Sequence, residues 1–402
     1  MLKSVERYNA HGVFMRISAL PLPTLFAGFI AVLVGYASSA AIIWQAAAAA
    51  GASPQQIAGW LTMLGIAMGI STLALTLWYR APILTAWSTP GAALLATSLA
   101  GSDINQAVGI FIFSSLLTLI CGVSGLFARL MRIIPHSLAA AMLAGILLRF
   151  GLDAFTSLQG HFLLSSSMLI SWLALKLFAP RYAVIAAMLV GLAVCLISGE
   201  FTPDSAAVRI ILPTYTAPEF NWPDLLGIGI PFFLVTMASQ NAPGIATLQA
   251  SGYNIPVSPL IIVTALIALI LAPFGVFSIC IAAITAAICQ SPEAHPDKQK
   301  RWLAAAAAGG FYLLAGLFGG SISTLLTALP LAFIQTLAGL ALLSTIAGSL
   351  FQALSHTHER DAAIITFLVT ASGISLLGVG AAFWGLVAGG ISYSVLSLRR
   401  GA

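Results

Sequence analysis

Charged residues are scarce in this 402-residue sequence. Asp, Glu, Lys and Arg together make up 7% of it, against 60% hydrophobic residues. A soluble domain usually carries about 25% charged residues, because it has to cover its surface with polar groups. The composition therefore excludes a soluble enzyme, a disordered chain and a nucleic-acid-binding protein. The net charge of +5 does not indicate a basic patch. What is informative is how the basic residues are distributed along the chain.

The sequence also lacks metal-binding and catalytic motifs, a nucleotide-binding motif and a cleavable signal peptide. The four cysteines lie in apolar runs without CxxC spacing or a neighbouring histidine, so they predict buried thiols rather than disulfides or a metal site. There is no Walker A motif and no Ser/His/Asp constellation, so we expect neither an ATP-driven pump nor an enzyme, and no cofactor. The first twenty residues lack the apolar core of a cleavable signal peptide, so the run from Pro23 is expected to be a retained span.

What the sequence does contain is long apolar runs, and a helix needs about 20 such residues to cross a bilayer. Charges, prolines and polar clusters divide the chain into twelve continuous candidates: 24–48, 56–78, 104–131, 135–156, 163–179, 182–199, 225–250, 257–273, 300–325, 329–354, 361–377 and 380–398. Two further segments, 82–100 and 276–291, are interrupted. Counted as broken spans they bring the total to fourteen, and the fold class is an all-α integral membrane protein.

The distribution of basic residues supports the count of fourteen. An even number of spans places both termini on one side, taken as the cytoplasm. Only Arg149 and Arg209 of the 16 basic residues then fall outside, as the positive-inside rule predicts. Omitting either broken segment would invert much of this pattern.

A weak internal repeat relates the two halves of the chain at an offset near 195–201. Pro135, for example, matches Pro330, and the two broken segments are each third in their half. Seven spans is an odd number, so sequential halves 1–200 and 201–402 would have opposite orientations. This pattern is typical of inverted-repeat secondary transporters.

The broken segments predict two half-helices preceded by short extended stretches. In the first, the chain reads as extended to Ser88, with Thr89 as an N-cap and a proline at the first helical position. The second becomes alanine-rich near Thr285 and is expected to turn helical there. Free N–H groups and the helix dipole favour anions at such N-termini. A proline-kinked packing helix is the alternative for the first segment.

Polar and aromatic residues inside the spans are the remaining candidates. Gln240 and Asn241 are adjacent amides in an apolar span, costly unless bonded; they are either substrate ligands or interhelical hydrogen-bonding residues. Tyr36 and Trp87 are candidates for an aromatic wall. Glu293 is the acid nearest a broken segment, and it is either a proton-responsive gate or a solvated loop residue.

Four segments in order resemble motifs of the benzoate–proton symporter (BenE) family: 35–40, 84–91, 239–244 and 291–297. The similarity extends over nearly the whole chain, and it is marked for inner-membrane members. That family is grouped by fold with uracil–proton symporters and sulfate permeases. The resemblance implies 7+7 inverted repeats, with a core domain at 24–132 and 225–325 and a gate domain at 133–199 and 326–398.

The resemblance also implies a function and a site. The function is import of a benzoate-like aromatic carboxylate with a proton across the bacterial inner membrane by alternating access. The implied substrate residues are Tyr36, Ser38, Trp87, Ser88, Thr89, Gln240, Asn241, Ile284 and Thr285. Uracil-type relatives place acids at the site, whereas the neutral amide of Gln240 suits a carboxylate, because like charges repel.

Several alternatives stay open at this point. A nucleobase or an inorganic anion could be the substrate on the same fold. A passive anion channel would follow voltage, and a non-transporting scaffold would move nothing. The expected partners are the anion, the proton and the lipid bilayer, with no nucleic acid; assembly as a homodimer is left open.

Overall fold

The computed structural model describes residues 21–127, 135–201, 210–377 and 379–398. Within these ranges, seven helices are long and apolar enough to cross a membrane, and an eighth span results if the bent pair Lys298–Leu317 and Gly319–Thr327 counts as one. The chain is therefore a multi-spanning helical protein. Arg129, Arg132 and Arg209, which entered the charge count, lie outside the described residues, as do both termini.

The described residues of the first half form seven helices and one short strand. They are α1 (Leu22–Ala49), α2 (Pro54–Tyr79), β1 (Thr85–Ala86), α3 (Thr89–Ser98), α4 (Ile104–Val123), α5 (His136–Gly160), α6 (Phe162–Phe178) and α7 (Ala183–Ser198).

The described part of the second half begins with the long helix α8 (Trp222–Ala250). It continues with α9 (Val257–Leu271), β2 (Cys280–Ile281), α10 (Ile284–Gln290), α11 (Trp302–Leu317), α12 (Gly319–Thr327), α13 (Leu331–Ser355), α14 (Arg360–Ala371) and α15 (Ala381–Leu398).

Three predicted spans differ from the observed helices. The helix in the predicted span 104–131 ends at Val123, shortly before Gly125 adopts a positive φ of 66°. The predicted continuous span 300–325 bends by 59° between α11 and α12, where two consecutive glycines, Gly319 and Gly320, follow Phe318. Glycine favours such kinks because it lacks a side chain to stabilise the helix. The predicted span 361–377 is helical only to Ala371, shortly before Gly373 adopts a positive φ of 69°.

Proline shapes α8, which contains two π-turns, Leu225–Gly229 and Met237–Asn241. Pro231 and Pro243 each follow a π-turn by two residues. Proline has no N–H and its ring crowds the carbonyl four residues earlier, so the regular hydrogen-bond ladder cannot continue through it. The second π-turn coincides with the polar Gln240–Asn241 pair, and π-turns are frequent at functional sites.

The two non-helical stretches meet each other. Residues 82–88 and 276–283 are not helical, and β1 pairs antiparallel with β2, with Thr85 opposite Ile281 and Ala86 opposite Cys280. Helices α3 and α10 begin directly afterwards. The cap of α3 is Ser88 rather than Thr89: the Ser88 hydroxyl accepts a hydrogen bond from the Gly91 N–H at 3.1 Å, which places Thr89 and Pro90 as the first two helical residues.

Helix packing brings the halves together in equivalent pairs. Helix α2 packs along α11, α4 packs along α9, and α5 packs along both α13 and α14. Small residues allow close approach: a Cβ on Gly65 would lie 2.5 Å from the Cα of Gly316. Such small-residue contacts are common between membrane helices. All four cysteines are free and buried in this packing, as their apolar surroundings predicted.

Candidate functional site

A cavity of about 740 Å³ lies beside the β1–β2 pair. One wall consists of α1, the β1–α3 and β2–α10 segments, and the second π-turn of α8. A second wall consists of α6, the start of α7 and α13. Most of the lining side chains are apolar, with a few polar groups among them, a composition typical of small-molecule sites.

Most of the predicted site residues line this cavity, but three do not. Those in the lining are Ser38, Trp87, Thr89, Gln240, Ile284, Thr285 and Glu293. The side chain of Ile284 is 78% exposed although it is a large hydrophobic residue, so an apolar surface faces the cavity there. Tyr36, Ser88 and Asn241 are absent from the lining, and each has a supporting contact instead.

Tyr36 lies behind Trp87. The two rings form an edge-to-face pair with centroids 4.7 Å apart. The indole N–H of Trp87 donates to the Ser39 hydroxyl at 2.7 Å, and Ser39 donates in turn to the Gly35 carbonyl. The Trp87 ring is thereby fixed in orientation, with its N–H already used. What it offers the cavity is an aromatic surface.

Ser88 is fully buried and holds the β1–α3 junction. Its N–H donates to the Ser278 hydroxyl at 3.1 Å, which links the two broken segments. Its own hydroxyl caps α3 and also accepts from the Thr236 hydroxyl on α8 at 3.1 Å. These bonds explain why the sequence places a serine here, and they direct its side chain away from the cavity.

Asn241 anchors β2 to α8. Its side-chain oxygen accepts from the Ile281 N–H at 2.9 Å, and its amide nitrogen contacts the Met237 sulfur at 3.2 Å. The close approach depends on Gly244, because a Cβ there would lie 2.3 Å from the Ile281 carbonyl oxygen. Of the two interpretations of the amide pair, Asn241 therefore fits the interhelical one, whereas Gln240 faces the cavity.

The two helix N-termini differ in what they offer. At α3, Pro90 has no N–H, and the Gly91 and Ala92 N–H groups are bonded to Ser88. At α10 the cap residue Ala283 makes no side-chain bond, and within the described residues the first N–H groups of α10 have no partner. The repeat predicted two equivalent N-termini, but among the described residues most of the unbonded first N–H groups belong to α10, whose Ile284 and Thr285 line the cavity.

Hydroxyl groups on α2 hold β1, and sequence reasoning missed them. The Thr85 hydroxyl lies 2.6 Å from that of Ser71 and 2.8 Å from that of Thr72, while Thr76 donates to the Ile83 carbonyl at 2.7 Å. All four polar side chains are buried. They satisfy a short strand that lacks a full ladder of backbone bonds.

The second wall of the cavity was also missed. Trp172 and Lys176 on α6 and Ser344 on α13 belong to the lining. The Lys176 ammonium donates to the Ser344 hydroxyl at 2.9 Å and lies 5.4 Å from the centroid of the Trp172 ring. The only signal in the sequence was a lysine near a helix end, which the positive-inside rule explains equally well.

Glu293 belongs to an exposed loop after α10 that reaches the mouth of the cavity. The backbone of this loop is fixed: Arg301 donates to the carbonyls of His295 and Gln290, both at 2.9 Å, and Thr24 donates to the Ala294 carbonyl at 2.8 Å. Glu293 is exposed, as a loop residue would be, and it also belongs to the cavity lining. Its role as a proton-responsive gate stays a prediction.

The neighbouring Tyr253 packs on the same surface. Burial raises the pKa of its hydroxyl above the ordinary tyrosine value, with Arg301 acting in the opposite direction. The neutral hydroxyl donates to the Lys298 carbonyl at 2.7 Å, and the Lys298 ammonium lies 5.1 Å from the Tyr253 ring centroid. This lysine–aromatic pair lies outside the cavity lining.

Residues 18–395 match the family model described as "Benzoate membrane transport protein" (BenE). This chain belongs to the BenE family. A BenE relative, the inner membrane protein YdcO of Escherichia coli, is 65% identical over 384 residues, covering 96% of this chain and 98% of its own. The benzoate membrane transport protein of Acinetobacter baylyi is 38% identical over 375 residues, covering 93% and 95%. The family identifies the chain as a membrane transport protein rather than an enzyme.

Solved structures show the fold of this BenE chain at low sequence identity. The overall structure of SLC26A9 matches 96% of the chain and 66% of its own length, with a TM-score of 0.62 and 12% identity. The transmembrane domain of the cyanobacterial bicarbonate transporter BicA matches 92% and 97%, with a TM-score of 0.60 and 12% identity. The fold is therefore that of a transporter membrane domain.

Proposed function

We propose that this protein imports an aromatic carboxylate, benzoate or a close analogue, together with a proton across the inner membrane. One observation carries the proposal: in a chain of the BenE family, the cavity joins an aromatic ring, a neutral amide and free backbone N–H groups. An apolar cavity of about 740 Å³ is large enough for a single-ring acid. The relative from Acinetobacter baylyi is itself named a benzoate transport protein.

The ring and the carboxylate would have different contacts. Trp87 and Ile284 supply apolar surface for the ring. Gln240, with Thr285 at the start of α10, supplies donors for the carboxylate, and Ser38 and Thr89 lie within the same lining. Hydrogen bonds to a charged group contribute about 1.5–3 kcal/mol each. Tyr36, Ser88 and Asn241 act one layer behind, by fixing Trp87, α3 and β2.

The proposed architecture is fourteen membrane segments in two inverted halves of seven. In each half the third segment would be a strand followed by a half-helix, β1–α3 and β2–α10. Two features support it. The pairing of β1 with β2 joins positions 196 residues apart, Thr85 and Ile281, close to the repeat offset. The packing of α2 on α11 is matched by that of α4 on α9, as exchange of the halves requires.

The core and gate domains follow from the same division. The core would comprise 24–132 and 225–325, and the gate 133–199 and 326–398. In support, α5 packs on α13 and α14, α6 on α7, and α14 on α15, so the gate helices contact one another extensively. The cavity has core residues on one wall and gate residues on the other. Rocking or sliding of one wall against the other would then alternate access.

The charge pattern supports an orientation for this cavity. Lys176 and Glu293 line it, and both lie on the side that the positive-inside rule assigns to the cytoplasm. The described arrangement would therefore be open towards the cytoplasm, with both chain termini on that side.

Proton coupling rests on energetics. A benzoate-like acid has a pKa of about 4, like Asp or Glu, and is an anion at neutral pH. An inside-negative potential opposes its uptake by about 2.3 kcal/mol per 100 mV. A co-transported proton cancels that charge. Within the described lining, Glu293 is the one acidic side chain; the proton would travel either through it or on the substrate.

Purified protein in proteoliposomes tests this function. With the lumen made alkaline relative to the outside, radiolabelled benzoate should accumulate above its external concentration and faster than in protein-free liposomes, which benzoic acid enters by diffusion. A protonophore should abolish the accumulation. Accumulation driven by sodium, or none under any gradient, would overturn proton symport. Benzoate current that follows voltage alone would indicate a channel. Competition by bicarbonate or uracil, but not by substituted benzoates, would indicate one of the other substrates of this fold.

A further inference from the structure

The Lys176–Trp172 pair on the gate-side wall has no part in the site proposed above. Both residues lie on α6, four positions apart, and both line the cavity. A helical side chain leans towards the N-terminus of its helix, so Lys176 naturally covers Trp172. A lysine at a membrane helix end usually extends outward to water. Here the side chain is exposed, yet its ammonium lies 5.4 Å from the centroid of the Trp172 ring and reaches α13 through its bond to Ser344.

This ammonium retains capacity to bind an anion. Lysine has three N–H donors, and among the described residues the Ser344 hydroxyl is the hydrogen-bond acceptor it has. Within that part of the chain no carboxylate forms an ion pair with it: the pairs found are His161–Glu200 and Lys300–Asp297. Lys176 is also the one cation in the described lining. It therefore places an unpaired positive charge next to an aromatic surface.

We propose that Lys176 and Trp172 form a second subsite for an aromatic carboxylate, on the second wall rather than on that of Trp87 and Gln240. The carboxylate pairs with the ammonium and the ring packs against the indole edge and neighbouring apolar surface. The inference rests on the proposed substrate class. It gives the substrate a position on the gate domain, so that an anion leaving the core site is held at the cytoplasmic mouth before release.

The charge of Lys176 is tested by binding. The wild type should show two benzoate-binding events in isothermal titration. Lys176→Gln should weaken one of them about tenfold or more, since a charge-assisted hydrogen bond is lost, and should leave the event that depends on Gln240 unchanged. Lys176→Arg should stay within about threefold at both. Lys298→Gln is the matched control, because Lys298 also lies over an aromatic ring, that of Tyr253, but outside the cavity. Binding of neutral benzamide should be unchanged in all three variants.

The outcomes separate this inference from the proposed function. If the wild type binds no aromatic carboxylate, the proposed function fails, and the inference fails with it. If the wild type binds benzoate and Lys176→Gln keeps every binding event that Lys298→Gln shows, at the same affinities, the subsite is overturned while the function stands. Equal losses in Lys176→Gln and Lys176→Arg would also overturn it, by excluding charge as the cause. Lys176→Met, with a side chain of similar length, replaces Lys176→Gln if that variant folds poorly, and it is expected to weaken benzoate binding equally.

Discussion

The side-chain oxygen of Asn241 accepts a hydrogen bond of 2.9 Å from the backbone N–H of Ile281. This bond ties the π-turn of α8 to β2, and through β2 to β1 and both broken segments. The two adjacent amides of this apolar helix therefore differ in their contacts: Asn241 is bonded to β2, and Gln240 lines the cavity.

Asn241→Leu should lower the stability of the protein. The Ile281 N–H would lose its acceptor in a buried position, which costs about 1–3 kcal/mol. The melting temperature in detergent should fall clearly below that of the wild type, and uptake should fall with it. A variant that melts like the wild type would show that β2 does not depend on this bond.

Gln240→Leu should weaken benzoate binding while leaving the stability of the protein nearly unchanged. The side chain has similar size and lines the cavity, so the melting temperature should change little. Loss of a hydrogen bond to a carboxylate, about 1.5–3 kcal/mol, should weaken benzoate binding roughly ten- to a hundredfold. Isothermal titration with benzoate measures this, and unchanged affinity would assign Gln240 to helix packing as well.

Gly244→Ala should be strongly destabilising. The new methyl group would lie 2.3 Å from the Ile281 carbonyl oxygen, and overpacking of this kind costs about 1–3 kcal/mol. Gly310→Ala in α11 is the matched control, because no atom within 4 Å would meet its methyl group. The two melting temperatures should move apart, with Gly310→Ala unchanged or higher. Equal shifts would contradict the close approach of α8 to β2.

Glu293→Gln tests where the proton travels. We expect the variant still to accumulate benzoate when a pH gradient is imposed, because a proton can accompany the substrate carboxylate. Glu219→Gln, on a loop predicted to face the opposite side, is the control. Loss of the pH response in Glu293→Gln alone, with benzoate exchange at zero gradient preserved, would make Glu293 the proton carrier.

Membrane sidedness can be read by cysteine labelling, because all four native cysteines are buried and should react slowly. A cysteine at Gln299 should react with a membrane-impermeant maleimide from the cytoplasm only. One at Leu212, whose side chain is 80% exposed, should react from the periplasm only. Ser205, a natural choice in the same loop, lies outside the described residues. Reversed reactivity would invert the topology.

Local sequence signals predicted the breaks in the helices but not the role of every residue near them. Pro82 and the Thr89-Pro90 step forbid a regular helix, so the break before α3 was visible in the sequence. Which amide of the α8 pair faces the cavity was not, because the π-turn Met237–Asn241 changes the direction of successive side chains relative to a regular helix.

Other differences between the sequence predictions and the structure arise from contacts that the local sequence does not specify. Lys176 is tied to α13 by Ser344, 168 positions later in the chain, and no local pattern encodes such a partner. The N-cap of α3 was predicted at Thr89 but is Ser88, because the Ser88 hydroxyl accepts from the Gly91 N–H. Both residue types are good N-caps, so the sequence alone did not distinguish them. The repeat suggested equivalent N-termini, yet capping by Ser88 has no counterpart at Ala283.

The two-residue ladder between β1 and β2 has a consequence for biosynthesis. Ala86 pairs with Cys280, so 194 positions must be added before the first strand meets its partner. At about 5–20 residues per second, this takes roughly 10–40 s. During that interval the extended backbone of residues 82–88 lacks its β2 partner, and polar groups that are buried without a partner are costly. The hydroxyls of Ser71, Thr72 and Thr76 on α2 are synthesised before β1 and already satisfy its near side. Helix α2 can therefore bond part of this backbone before the second half of the chain is made. The pairing with β2 later supplies bonds that α2 does not make.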